Sequence, residues 1–121
     1  MQKFLAIYIG TEDALKRAGW DKLEEAERQA RQAKGFQAWM DWGTDNAVKI
    51  VDQGSPIGKT KHAGPDGISD ARNAITGYVI VEAESHEVAA KLFEGHPHFT
   101  IFPGDSVEIM EMLPLPSLEP Q

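Results

Sequence analysis

An α+β fold, built as a four-stranded antiparallel sheet with its helices on one face, is what three features of the sequence predict. Short β-branched and aromatic runs alternate with helix-forming stretches in the order β, α, β, β, α, β. Asp66-Gly67 supplies a tight turn in the middle of the chain, where two successive strands need one. The helical material suffices to cover one side of such a sheet and no more. This order closes as a ferredoxin-like split βαβ arrangement, and at 121 residues with 41% apolar content the chain has room for one such domain. The domain is expected to span residues 1–113, followed by a proline-rich tail over 114–121.

Lys3 to Gly10 reads as the first strand. Phe4, Ala6 and Tyr8 alternate with Leu5, Ile7 and Ile9, so both faces are apolar and the strand belongs in the centre of the sheet. From Thr11 the composition turns to Glu, Lys, Ala, Arg and Gln, and no proline interrupts Asp21 to Asp45. Ala26, Ala30, Ala33, Phe36, Trp39, Met40 and Gly43 recur at helical spacing and are expected to form the buried stripe. Its alanine half would approach the sheet closely, and its aromatic half would wall off a space. Lys49 to Gly54 leads into the second strand and a hairpin, and Tyr78 to Ala83 is the third strand. Ser85 caps the second helix, whose inner face is Val88, Leu92 and Ala89 or Phe93, and Gly95 with Pro97 supplies its stop. Val107 to Leu113 is the fourth strand.

The central strands are apolar on both sides while the helices cover one. A second copy laid sheet to sheet is the simplest cover for the other, so a homodimer through the sheet faces is expected. Nineteen acidic against twelve basic residues leave a net charge of -7, which repels phosphate backbones and anionic membranes; neither nucleic acid nor membrane is an expected partner. The longest apolar run, Phe4 to Ile9, is too short to span a bilayer and lacks the flanks of a signal peptide, so the expected location is cytoplasmic. The absence of cysteine removes thiolate nucleophiles, disulfides and thiolate-bound zinc together. Gly58-Lys59-Thr60 lacks the upstream glycine of a phosphate loop, and no cofactor is expected.

Several segments, in this order and spacing, resemble the YCII-related (DGPF-type) family of dimeric α+β barrel proteins. They are FQAWMDWG (Phe36 to Gly43), VDQGSPIGKT (Val51 to Thr60), DGISD (Asp66 to Asp70), ITGYVIVEAES (Ile75 to Ser85), then GHPHF and SVEIMEML. The resemblance implies a ferredoxin-like homodimer with a cleft between helices and sheet. Some members of the wider family resemble acid-base enzymes with a His from the first helix and an Asp after the second. Here the first helix carries Trp39 and Trp42, and the later position reads His96-Pro97.

His96 and His98 are the candidate catalytic residues. They flank Pro97 at the expected end of the second helix, where unpaired carbonyls favour a protonated imidazole able to protonate an enolate or carbonyl oxygen. A His-x-His pair also suits a metal, but Asp105 or Glu108 would have to complete the site, and no metal is expected. Tyr8, Phe36, Trp39 and Trp42 are the candidate pocket-lining residues, suited to a small planar or apolar ligand. Asp41 and Asp52 are further candidate bases. Two functions fit: a small-molecule binder with isomerase- or lyase-like chemistry, or a non-catalytic interaction module using the proline-rich tail and the charged helix.

Overall fold

The computed structural model describes residues 1–116. Ten elements follow in order: β1 (Gln2–Ile9), α1 (Glu12–Ala18), α2 (Glu25–Asp45), β2 (Ile50–Pro56), β3 (Thr60–Gly64), β4 (Gly67–Ala71), β5 (Ile75–Ala83), α3 (His86–Lys91), α4 (Pro97–Thr100) and β6 (Ser106–Glu111). The main sheet has four strands in the order β2-β5-β1-β6, every neighbouring pair antiparallel. This is the α+β, ferredoxin-like topology, with β1 and β5 in the centre. The remaining two strands, β3 and β4, form a separate hairpin closed at Gly64 and Gly67. Its outer residues are exposed, Ile68 among them.

Alternation along the central strands decides where the core lies. Phe4, Ala6 and Tyr8 of β1 are buried, and their cross-strand partners Val81, Val79 and Gly77 of β5 are buried with them. Ala89 and Phe93 close over this face and complete the core. On the opposite face Leu5 lies across from Ile80 and Ile7 across from Tyr78, all half-buried, so apolar side chains do project from both sides of the sheet.

The first helical stretch divides into two helices. Thr11 caps α1 by accepting the Ala14 N–H, and Gly19 ends it in the left-handed region at φ 71°, its own N–H donating to the Lys16 carbonyl. A single 3-10 turn over Trp20–Lys22 then redirects the chain into α2. The expected alanine stripe is corrected here: Ala26, Ala30 and Ala33 are exposed, and Phe36 and Met40 remain about 60% exposed, at 61% and 60%. The inward side of α2 instead carries Gly35, buried, with Trp39 and Trp42 half-buried below it. At Gly35 the Phe102 ring occupies the space a Cβ would need, so the close approach is to the segment after α4 and not to the sheet. The backbone of α2 accordingly leans on α4 and stands off the strands.

Ser85 caps α3 by accepting the Val88 N–H, as the sequence indicates. Val88, expected on its inner face, is 38% exposed, whereas Ala89 and Phe93 are buried. Pro97 does not act as a stop. It opens α4 at a first-turn position, where its missing N–H costs no hydrogen bond. Beyond β6, Pro114 to Pro116 are exposed, and the rest of the expected tail to Gln121 lies outside the described residues. Among the described residues no helix is long and apolar enough to cross a membrane.

Candidate functional site

The gap between α2 and the sheet is a cleft of about 1070 Å³. Phe36, Trp39, Met40 and Trp42 supply its helical wall, Tyr8 and Val79 its floor, and Gln53 to Pro56 of β2 its opposite wall. The indoles explain why the gap exists: they are too large to let α2 settle onto β1 and β5 as α3 does. Trp42 is fixed by donating its Nε1–H to the Leu92 carbonyl at 2.8 Å, and Trp39 packs on Tyr8 with ring centroids 4.9 Å apart. Phe102, which the sequence reading did not single out, lines the cleft beside Trp39 and Phe36. Its only sequence signal is an aromatic three residues after Phe99.

His96 and His98 lie behind this wall. Their residues are 1% and 7% exposed, and neither imidazole is part of the cleft lining. His96 is packed between Trp39, edge-on at 4.5 Å, Trp42 at 4.8 Å and Tyr8 at 5.2 Å. The expected helix C-terminal setting is corrected by the position of α4: His96 is its N-cap, and His96 Nδ1 accepts the backbone N–H of His98 at 3.0 Å. Burial, reinforced by repulsion from His98, pushes the His96 pKa down to about 3. The ring is therefore neutral near pH 7, not the imidazolium the sequence suggested. His98 Nε2 donates to the Ile9 carbonyl at 2.8 Å. Burial lowers its pKa as well, while main-chain bonds to Ile9 and Ser106 and the Asp105 carboxylate act in the opposite sense.

Tyr8 joins the two layers. It lines the cleft, and its hydroxyl lies 3.5 Å from His96 Nε2, at the outer limit of a hydrogen bond. Burial raises its pKa well above the ordinary phenol value, so the hydroxyl keeps its proton. The two candidate carboxylates are elsewhere: Asp41 accepts from the Gln37 amide on the helix surface, and Asp52 accepts the Gly54 N–H in a local turn. His62 and His86, the other two histidines, lie on the β3–β4 hairpin and at the start of α3. Chemically, the cleft offers stacking surface and neutral hydrogen-bonding groups, without a buried charge.

No family model matches the chain, and no curated protein matches it. Among solved structures, the chain is similar to a 5-chloro-2-hydroxyhydroquinone dehydrochlorinase from Burkholderia phenoliruptrix, determined in complex with 2,5-dihydroxybenzoquinone. The two are 16% identical, with a TM-score of 0.52, over 92% of this chain and 93% of that one. The likeness extends through the whole domain and establishes a shared α+β fold.

Proposed function

We propose that this protein binds a small planar organic molecule, aromatic or quinonoid in character, in the cleft between α2 and the sheet. The observation that carries this reading is the cleft itself: about 1070 Å³ of space held open by Trp39 and Trp42 and floored by Tyr8. Indoles and a phenol stack on flat ligands, and a space of this size admits one- or two-ring compounds. The dehydrochlorinase of the same fold, bound to a dihydroxybenzoquinone, supports the same ligand class. The order of the segments that resemble the YCII-related, DGPF-type family supports a relationship at that finer level.

Where turnover occurs, the chemistry the site favours is proton transfer on an enol, phenol or carbonyl, of the isomerase or lyase kind. His96 reaches such a ligand through Tyr8, and His98 holds the His96 ring in place. A second reading, binding without catalysis, is favoured by the exclusion of both imidazoles from the cleft wall and by the low pKa of His96. In either reading the apolar outer face of β1 and β5, carrying Leu5, Ile7 and Ile80, is covered by a second copy of the chain. An apolar face is self-complementary, as a two-fold pairing requires. A cytoplasmic location is part of the same reading.

A thermal-shift screen against aromatic acids, phenols and quinones, run beside a sizing measurement, tests both parts. A rise in Tm for flat one- or two-ring compounds, lost in Trp39→Ala, is expected from a species of twice the chain mass. No stabilisation by any such compound would end the binding reading, and a single-copy species in dilute solution would end the dimer.

A further inference from the structure

The hydrogen bonds behind the cleft have a fixed direction, and that direction specifies the ligand. His96 Nδ1 accepts the His98 backbone N–H, which it can do only when that nitrogen carries no proton. The ring is neutral, so its one proton sits on Nε2, the nitrogen that faces the Tyr8 hydroxyl. The Tyr8 oxygen is thereby the acceptor in that contact. Its own proton has no other acceptor among the described residues, although Tyr8 is only 5% exposed. A buried donor without a partner calls for one, and the space that Tyr8 lines is the cleft.

We propose that Tyr8 is the specificity-determining donor of the cleft, presenting its hydroxyl proton to an oxygen acceptor on a planar aromatic ligand, a carbonyl, quinone or phenolate oxygen. This rests on the reading of the cleft as a binding site and adds which polar group its ligand carries. His96 is the positioning residue: capped on one nitrogen by α4, it cannot present an acceptor to Tyr8, so it keeps the tyrosine a donor toward the ligand. Phe36, Trp39, Met40 and Val79 give the cleft apolar surface. Thr44, Gln53, Ser55 and Thr76, which also line it, are solvent-exposed, with the Ser55 and Thr76 hydroxyls donating to main-chain carbonyls, so Tyr8 is the buried donor left for a ligand oxygen.

The test uses two compounds of nearly the same shape, 2-acetonaphthone and 2-ethylnaphthalene, which differ by a carbonyl in place of a methylene. Affinities are read by ligand-observed NMR on the intact protein. A cleft that offers the carbonyl no donor prefers the hydrocarbon, because the ketone is better solvated in water. The donor reverses this, and the wild type is expected to hold the ketone about tenfold more tightly. In Tyr8→Phe the preference should return to the hydrocarbon, whose own affinity stays near the wild-type value. A wild type that prefers the hydrocarbon, or a ketone preference that survives in Tyr8→Phe, would overturn the proposal and leave the cleft reading standing. Failure of both compounds to bind would overturn the two together.

Discussion

Two helices meet the same sheet in different ways. On the α3 side Ala89 and Phe93 lie on Phe4, Ala6 and Val81, and each of these residues is at most 3% exposed. On the α2 side Trp39 and Trp42 reach the same sheet but stay half-buried, and Phe36 and Met40 border open space. The contrast follows from side-chain size at the contact. An alanine lets α3 drop to packing distance, whereas two indoles hold α2 away, at the cost of the dispersion contacts a closed layer would gain. One half of the domain is thus built for stability, and the other keeps a cavity that a ligand can fill.

Truncation at the two sides should therefore have unequal effects. Phe93→Ala removes a buried ring from the packed side and is expected to cost about 3–5 kcal/mol of folding stability, against less than about 1 kcal/mol for Phe36→Ala at the cleft lip. Urea titrations of both variants check this, and equal losses would mean that the two sides are packed alike.

A smaller effect should appear in the pH dependence. The unfolded chain protonates His96 near the ordinary value of 6.5, whereas the folded chain resists until about pH 3. Between these values the unfolded state binds more protons, so stability is full above about pH 6.5 and falls progressively as the pH drops toward 3. His98 acts in the same direction. The gap in urea midpoint between wild type and His96→Gln should accordingly narrow from pH 7 to pH 4. A constant gap would place His96 in a solvated setting.

The packed side was legible in the sequence and the open side only in outline. Alternation in Phe4 to Ile9 and in Tyr78 to Ala83 marks central strands because period-two patterning survives in any context. Ser85 marks a cap through local hydrogen bonding and stands where expected, whereas the hairpin turn falls one residue earlier than Asp66-Gly67, on Pro65-Asp66, with Gly67 alone at positive φ. The register of α2 was not legible. Alanine is at home on either face of a helix, so Ala26, Ala30 and Ala33 gave no true direction, while Gly35 gains its meaning from Phe102, a residue 67 positions away. The histidines were misjudged for a similar reason. Pro97 reads equally as the end of one helix or the first turn of the next, and the choice between them inverts the local dipole and the expected charge of His96. The signal for the second option was present, since Gly95 alone, at φ 67°, suffices to end the preceding turns.

The most direct measurement is a titration of the uniformly ¹⁵N-labelled protein with 2-acetonaphthone, following the three indole N–H signals. Trp39 and Trp42 line the cleft, while Trp20 is buried against Phe102 outside it and serves as an internal control. Saturable shifts of the Trp39 and Trp42 signals, with Trp20 unmoved, are the predicted result. Shifts confined to Trp20 or to amides on the Leu5–Ile7–Ile80 face, with the two cleft indoles silent, would contradict the account.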